Sequence, residues 1–302
     1  MAKTAEVLIL GGGGDWHASR LRRAFAALGI EARPVAFADC AFEADAGPLG
    51  IRLGGSSGRP AAVVVRSIPA GSFEQVTLRL GLLHALRGQG VPVVNDARAI
   101  ERCVDKSTTS FLLARAGLPT PPAWTCETRE QATATVLREV VAGHRLVQKP
   151  LFGSQGRGLR LLSQPDQLPE PEDVAGVYHL QRFVGNDQGW HDFRVLVVAG
   201  RAVAAMVRRG IGWITNVRRG GRPERVELAD DLANLAVAAV EAVGGFYAGV
   251  DIIRDRYDRL QVLEVNSMPA WQGLQSVTEV DVAATLARGV VEICRPSVRA
   301  VG

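Results

Sequence analysis

The sequence predicts an α/β unit followed by α+β units, which together enclose one active cleft. The first 98 residues alternate short apolar runs with amphipathic helices, a pattern typical of a parallel sheet with right-handed crossovers. The remaining residues give strand pairs and hairpins that are followed by helices. Because 302 residues exceed one average domain, several packed units are expected. We predict domains at residues 1–98, 99–184 and 185–302.

The first unit is predicted to contain strands at residues 7–10, 61–65 and 91–94 and helices at residues 18–28 and 73–87. All residues of the second strand are apolar, as in a parallel strand that is buried on both faces. Gly88 and Gly90 end the second helix.

The rest of the chain is predicted to contain helices at residues 107–116, 129–141, 230–243 and 280–293. Strands are predicted at residues 146–149, 159–162, 178–184, 193–198, 202–208, 248–253 and 260–265. Ala199-Gly200 separates two of these apolar runs, which indicates a hairpin.

Composition argues against several classes of partner. The 35 basic and 31 acidic residues nearly balance, and the basic groupings are too short for a nucleic-acid-binding stripe, so we expect no nucleic-acid partner. No apolar run approaches the roughly 18 residues of a membrane-spanning helix, and no signal pattern precedes the first strand, so we expect a cytoplasmic protein without a membrane partner. The four cysteines are isolated, which predicts neither disulfides nor zinc.

Three oxygen-bearing side chains lie on two neighbouring predicted strands. Glu264 and Asn266 are two residues apart, so both side chains leave the same face of the sheet, and Asp251 lies on the adjacent strand. Such ligands suit a hard cation that also binds phosphates, as magnesium does. The alternative is that Asp251 ends a strand and Asn266 begins a turn.

A lysine and a glycine-rich loop form a second candidate element. Lys149-Pro150 precedes the run from Gly153 to Gly158, where backbone N–H groups can approach an anion while a strand-end lysine supplies a point charge. Lys106 is a further candidate. The alternatives are a flexible hairpin tip and an exposed lysine.

A third element is Asp192-Phe193-Arg194 with Arg208 on the partner strand of the hairpin. Arginines are suited to bidentate binding of carboxylate and phosphoryl oxygens, although surface salt bridges would give the same pattern. Gly11 to Gly14 is a weaker signal, because Trp16 replaces the third glycine of a dinucleotide fingerprint. Of the histidines, we single out His17 and His191 for testing.

In this order, the elements resemble the ATP-grasp superfamily and, within it, the RimK-like glutamate ligases, from Arg66-Ser67-Ile68-Pro69 to about residue 293. The stretches most specific to the resemblance are Val104-Asp105-Lys106-Ser107, Val147-Gln148-Lys149-Pro150, Gly153 to Gly158, Asp192-Phe193-Arg194-Val195, Ala248-Gly249-Val250-Asp251 and Leu263-Glu264-Val265-Asn266-Ser267-Met268-Pro269.

The resemblance implies an ATP-grasp fold with an N-terminal parallel-sheet (pre-ATP-grasp) domain, a central lid domain and a C-terminal antiparallel-sheet domain. It also implies ATP and Mg²⁺ (or Mn²⁺) as cofactors. Asp251, Glu264 and Asn266 would bind the metal, and Arg194, Arg208 and Asn216 would act on the reacting groups. The implied ATP-binding residues are Lys106, Lys149, Gly153, Ser154, Gly156, Gly158, Gln181, Arg182, Phe183, Val184 and Asp192, with residues 153–158 as a mobile flap and residues 181–184 against the adenine.

The implied reaction is ATP-dependent amide formation through an acyl phosphate, joining glutamate to an amine acceptor. Residues 266–275 resemble ligases of one-carbon cofactor synthesis, which implies a tyrosine-like amine or the glutamyl chain of a cofactor such as methylofuran or tetrahydromethanopterin as acceptor. Other ATP-grasp ligations (ribosomal-protein or peptide glutamylation, D-alanine-type chemistry) and a non-catalytic nucleotide-binding regulatory protein are the alternatives. The oligomeric state is open, with a homo-oligomer as one outcome.

The chain departs from the ribosomal-protein-modifying members at one motif. Where these have Phe-Arg-Ser-Asn, this chain has Trp213-Ile214-Thr215-Asn216, so an arginine that contacts substrate is missing. Arg218 or Arg219 is a candidate to replace it. Trp271, just after the predicted metal ligands, is expected either to form a wall of an aromatic acceptor's pocket or to pack in the core.

Overall fold

The structure is a computed structural model that describes residues 6–11, 14–45, 47–56, 58–153, 155–185 and 189–294. Its first unit contains β1 (Glu6–Gly11), α1 (Trp16–Ala26), β2 (Glu31–Ala36), β3 (Cys40–Phe42), β4 (Ile51–Leu53), β5 (Ala62–Val65), α2 (Phe73–Gly88), β6 (Val93–Val94) and α3 (Ala97–Val104). The main sheet has the order β2-β1-β5-β6, and all its pairs are parallel, as predicted. β3 and β4 form a separate antiparallel pair.

Local sequence accounts for these elements. All four residues of β5 are buried, since helices cover both faces of a parallel sheet. Asp15 caps α1 by accepting from the Ala18 N–H, and Ser72 with Gln75 forms a capping box at the start of α2. These caps satisfy backbone donors that would otherwise lack partners at the helix starts.

The central unit is an antiparallel sheet with helices. It contains α4 (Lys106–Arg115), β7 (Ala123–Cys126), α5 (Arg129–Val141), β8 (Leu146–Lys149), β9 (Arg160–Leu162) and β10 (Tyr178–Arg182), with the strand order β7-β10-β8-β9. Although the predicted boundary places residues 99–118 here, Cys103 and Leu113 lie in the core beneath the third sheet. Helices α3 and α4, which precede β7, therefore pack on the C-terminal unit, and α4 also contacts β7 of the central sheet.

The C-terminal unit contains β11 (His191–Val198), β12 (Arg201–Arg209), β13 (Arg222–Arg225), α6 (Asp230–Val243), β14 (Tyr247–Arg254), β15 (Leu260–Asn266), α7 (Gln272–Gln275) and α8 (Val282–Cys294). Its antiparallel sheet has the order β13-β12-β11-β14-β15. The predicted hairpin turn is confirmed: Ala199 and Gly200 have φ of 49° and 73°, the left-handed conformation that tight hairpins require.

The buried side chain of Asn95 joins the first and third units. Its Nδ2 donates to the Tyr247 and Ser267 carbonyls at 2.6 Å each, and its Oδ1 accepts from the N–H groups of Phe246 and Tyr247 at 2.6 and 3.1 Å. A hydrophobic cluster that includes Val7 of β1 and Met206 of β12 continues between the same units. The N-terminal sheet is therefore fixed beside the ends of β14 and β15.

Three strands of the main sheets, β2, β7 and β13, were not predicted, and each lies at an edge of its sheet. β2 and β13 contain a proline, Pro34 and Pro223, whose missing N–H is tolerated at an edge. All four cysteines are free, as predicted. Among the described residues, no helix has the length and apolar character needed to span a bilayer.

Candidate active site

A cleft between the central and C-terminal sheets contains most of the predicted site residues. It encloses about 840 Å³ of space, including its open mouth. The predicted residues that line it are Lys106, Lys149, Gly153, Gly156, Gln181, Arg182, Phe183, Val184, Asp192, Arg208, Asn216, Asp251 and Glu264. Gly158, Arg194 and Asn266 lie outside this lining, and Ser154 lies outside the described residues.

Two ammonium groups occupy the central-unit side of the cleft. Lys149 ends β8, and no carboxylate in the described part of the chain lies within 4 Å of its Nζ. Desolvation lowers the pKa of Lys149, whereas the negative charges of Glu264 and Asp251 oppose that shift. Lys106 donates from Nζ to the Gly153 carbonyl at 2.8 Å. Lys149 is therefore a desolvated cation facing the cleft, as a phosphate-binding lysine should be.

The glycine-rich loop closes over the cleft at Gly156. A Cβ at this position would lie 2.6 Å from Asn216 Oδ1 and 2.8 Å from Ile214 Cγ2, and the residue has φ of +70°. Arg219 also donates to the Gly156 carbonyl at 3.3 Å. Only glycine permits this approach, so the segment from 210 to 221, which contains the motif that departs from the ribosomal-protein-modifying members, contacts the flap directly.

The far end of the cleft is aromatic. The ring centroid of Phe183 lies 6.0 Å from those of both Trp190 and Trp213. The guanidinium of Arg145 lies 4.6 Å from the Phe183 centroid. Gln181 is 2% exposed and lines the same region. These rings contact one another and form one aromatic wall, which with polar groups at its edge is a surface suited to packing of a planar base.

The predicted metal ligands share one face of the C-terminal sheet. Asp251 is the Cα partner of Glu264, and Gly249 is the partner of Asn266. The register shifts between Asp251 and Ile252, so that Leu263 and Glu264 both line the cleft. Asn266 donates from Nδ2 to the Gly249 carbonyl at 3.4 Å, which leaves its Oδ1 oxygen for another ligand.

These residues fit magnesium that arrives with a nucleotide. In the described part of the chain, no group of three His, Cys, Asp or Glu side chains could by itself bind a metal ion. Two carboxylates and one amide oxygen provide too few ligands for an all-protein site, but magnesium is usually bound through one or two carboxylates together with phosphate oxygens and water.

Two arginines and two aspartates form a balanced charge network that includes the predicted ligand Asp251; Arg194 is half-buried and the other three are buried. Arg194 binds Asp251 in a bidentate manner, with both N···O distances 2.7 Å. Arg208 lies 3.0 Å from Asp251 and also donates to Asp192, with Nε at 2.9 Å from Oδ1. Burial alone would raise the pKa of Asp251, but the two arginines outweigh it and hold that pKa below its usual value. The alternative of surface salt bridges is therefore wrong for this set, whose largely buried pairs keep Asp251 ionised.

Other predicted residues have structural roles in this arrangement. Arg182 pairs with the buried Glu139, at 2.6 Å from Nη2 to Oε2. Trp271 is 1% exposed and packs against Trp16 and His17, so it belongs to the core and forms no pocket wall. His191 contacts Phe193 edge-on.

Two features of the cleft were not predicted from the sequence: its apolar walls and the scarcity of lysine elsewhere in the chain. Val147 lines the cleft two residues before Lys149, and this spacing on one strand could have identified it. The chain has only three lysines, of which Lys106 and Lys149 are two, although it has 35 Lys and Arg residues in total. Both lysines of the described residues therefore line the cleft, in a chain that otherwise uses arginine.

Comparison with known proteins gives consistent relatives. The family model of the RimK-like ATP-grasp domain matches residues 103–290. A tetrahydromethanopterin:alpha-L-glutamate ligase of Methanococcus maripaludis is 37% identical over 206 residues, which cover 65% of this chain and 68% of that protein. A probable alpha-L-glutamate ligase of Haemophilus influenzae strain PittEE is 31% identical over 210 residues, which cover 68% of this chain and 69% of that protein.

Solved structures show the same fold. A RimK domain ATP-grasp protein from Sphaerobacter thermophilus superimposes with a TM-score of 0.71 at 24% identity, covering 95% of this chain and all of the other. The ATP-grasp ligase PsnB, solved with a minimal precursor, Mg and ADP, superimposes with a TM-score of 0.73 at 22% identity, covering 96% of this chain and 97% of the other.

Proposed function

The chain belongs to the RimK-like ATP-grasp family, and from this premise we propose that it joins L-glutamate to a small-molecule acceptor at the cleft described above. Its relatives are named glutamate ligases, so an ATP-dependent ligase is supported at the level of the family. The observation that best supports the proposed site is Lys149, a desolvated ammonium that has no ion pair with any described residue and faces Glu264 and Asp251 across the cleft.

Catalysis in this proposal is mainly positioning and charge neutralisation. Bound ATP would supply the phosphoryl group that activates a carboxylate, and magnesium would supply positive charge at its oxygens. Lys106 and Lys149 would bind phosphate oxygens from the central unit, and Asp251, Glu264 and Asn266 would hold the metal from the C-terminal sheet. The aromatic end at Phe183 to Val184 receives the base.

The arginines and the flap prepare the reacting groups. Arg194 and Arg208 lie against Asp251, and in this proposal they bind phosphoryl or carboxylate oxygens of the reacting groups. The flap contact with Asn216 excludes water, which would otherwise hydrolyse the acyl phosphate before an amine attacks it.

For the acceptor, we propose a one-carbon cofactor or its precursor. Support comes from relatives in three archaea that are named tetrahydromethanopterin:alpha-L-glutamate ligases. Within this class we include the tyrosine-like amine and the glutamyl chain of methylofuran. Ribosomal-protein or peptide glutamylation is the competing outcome.

The test is ADP release by the purified protein with ATP, Mg²⁺ and L-glutamate, together with each acceptor in turn. Products are read by mass spectrometry, and fragmentation shows which partner supplied the carboxylate. The proposal expects acceptor-dependent ADP release and a mass increase of one or more glutamyl residues with a cofactor-type acceptor. Modification of peptides alone would replace the proposed acceptor, and no turnover with any combination would contradict the proposed ligation.

A further inference from the structure

Among the described residues, Arg66 is the buried charged side chain that lacks an opposite charge. The other buried charges are Glu139, Asp192, Arg208, Asp251 and Asp255, and each has an oppositely charged group within 4 Å. Arg66 is 7% exposed, and no ion pair is formed by its guanidinium in this part of the chain. Its Nε is buried and has no hydrogen-bond acceptor. Burying an unpaired charge is costly, so a purely structural position would favour a neutral side chain.

Arg66 lies where α/β sheets bind ligands. It follows β5 directly, at the carboxyl end of a central parallel strand, and the adjacent β1 ends at Gly11. A Cβ on Gly11 would lie 3.7 Å from Arg66 Cβ, so the two strand ends are in contact distance. Ligands of open α/β sheets bind beyond the carboxyl ends of the strands.

The same guanidinium also contacts the segment that follows the predicted metal ligands. Arg66 Nη1 donates to the Met268 carbonyl at 3.1 Å, two residues after Asn266. The next residue, Pro269, lies against β14 beside Arg194, because a Cβ on Gly249 would be 3.0 Å from Pro269 Cβ and 3.6 Å from Arg194 Cδ. Only this short segment therefore separates Arg66 from the Arg194–Asp251 pair.

The groups around Arg66 favour an anion. The charges of Arg66 and the exposed Arg218 both act on His17, which lies at the start of α1. Arg218 follows Val217, whose Cγ2 would lie 3.6 Å from a Cβ on Gly273. Gly273 comes two residues after Trp271, which packs on His17. Burial is the main cause that lowers the pKa of His17 to about 4, so its imidazole is neutral, and its Nε2 accepts from the Trp271 N–H at 3.2 Å. Asp15, the acidic group that also acts on His17, is occupied with the α1 cap and with His17 Nδ1 at 3.4 Å.

We propose that Arg66, assisted by Arg218, binds a substrate carboxylate at the junction of the N-terminal and C-terminal sheets. The planar fork of a guanidinium matches a carboxylate, and the lysines of the cleft are the groups suited to phosphate. This inference rests on the proposed function, since glutamate and glutamate-like acceptors carry a carboxylate that is not consumed in the reaction. In this proposal, Arg218 also takes the role of the substrate-contacting arginine that the ribosomal-protein-modifying members have where this chain has Ile214.

The test compares Arg66→Gln and Arg66→Lys with Arg98→Gln, an exposed charge-loss control on α3. KM values for ATP, L-glutamate and acceptor are measured by ADP release. We expect Arg66→Gln to raise one carboxylate substrate's KM about tenfold or more, with the KM for ATP unchanged. Arg66→Lys should restore part of the loss, and the control should resemble wild type. A raised KM for L-glutamate assigns the site to glutamate, and a raised KM for the acceptor assigns it to the acceptor.

Unchanged carboxylate KM values in a folded Arg66→Gln protein would overturn the inference, as would an equal rise in every KM. If Arg66→Gln does not fold, Arg218→Gln gives the test on the exposed side, and its failure to raise either carboxylate KM also overturns the inference. If wild type turns over no substrate, the proposed function fails separately. Calorimetric titration of wild type and Arg66→Lys with L-glutamate or glutarate then tests the site: carboxylate binding weakened in the variant supports it, and equal or absent binding overturns it.

Discussion

Replacing Lys149 with methionine should separate nucleotide binding from stability. Methionine keeps most of the side-chain length and removes the charge. Because Lys149 has no ion pair within the described residues and is desolvated, the change removes a burial cost and should leave the melting temperature unchanged or higher. A charge-assisted hydrogen bond to a phosphate contributes about 1.5–3 kcal/mol, so the Kd for Mg-ADP or a non-hydrolysable ATP analogue should rise about 10- to 150-fold.

The assay is isothermal titration of nucleotide into wild type, Lys149→Met and Lys106→Met, with melting curves of each protein. Lys106→Met is the matched comparison, because Lys106 donates to Gly153 and its loss should weaken both nucleotide binding and the base of the flap. The reasoning is refuted if Lys149→Met binds nucleotide as wild type does. A fall of several degrees in its melting temperature would also show that the lysine stabilises the fold.

Three further predictions concern the fold, pH and the flap. Asn95→Ala should lower the free energy of unfolding by about 3 kcal/mol in urea titrations, because four hydrogen bonds are lost in a buried site. The control, Asn234→Ala at an exposed position, should change that free energy by under about 0.5 kcal/mol. Equal effects of the two substitutions would exclude Asn95 as the link between the units. Burial, with nearby Lys149 and Lys106, lowers the pKa of His179 to about 3. The neutral imidazole therefore contributes fully to the free energy of unfolding above about pH 6.5, and this contribution is lost as the pH falls from about 6.5 towards 3. Wild type should therefore lose about 2 kcal/mol more than His179→Gln between pH 7 and pH 5, and parallel pH profiles would contradict this assignment. Gly156→Ala should reduce kcat about tenfold, because its Cβ would meet Asn216 and Ile214. The control, Gly143→Ala, has a similar φ but open space around its Cβ, so it should lower stability and leave kcat unchanged. Equal kcat values of the two variants would contradict flap closure.

Sequence reasoning predicted the helices best where local signals agree. The bounds of α5 and α6 were predicted to the residue, since Thr128 caps the first and Gly244, in a left-handed conformation, ends the second. The edge strand β7 was missed although it contains no proline, because it is a run of only four residues. The edge strands β2 and β13 were missed because each contains a proline, and the local rule against proline in strands does not take account of which strand lies at a sheet edge. That position is decided by tertiary packing.

The candidate site was predictable to the level of which residues share a sheet face, but not of which groups pair. Period-two spacing placed Glu264 and Asn266 together, and the register confirms that Asp251 is beside them. Spacing could not reveal that Arg194 and Arg208 bind Asp251, nor that Leu263 enters the cleft at a register shift. Arg66 was noted only as part of a motif, since its lack of a buried partner is a property of the folded chain.

The most direct test of the central claim is the magnesium dependence of nucleotide binding in wild type and Glu264→Gln. In the proposed arrangement, the triphosphate lies between the lysines and a metal bound to the C-terminal sheet. We expect Mg²⁺ to strengthen binding of a non-hydrolysable ATP analogue to wild type. Glu264→Gln should lose most of this increase in affinity and should still bind the metal-free nucleotide through Lys106 and Lys149. A full magnesium effect in Glu264→Gln would contradict the metal site and, with it, the proposed arrangement of the reaction.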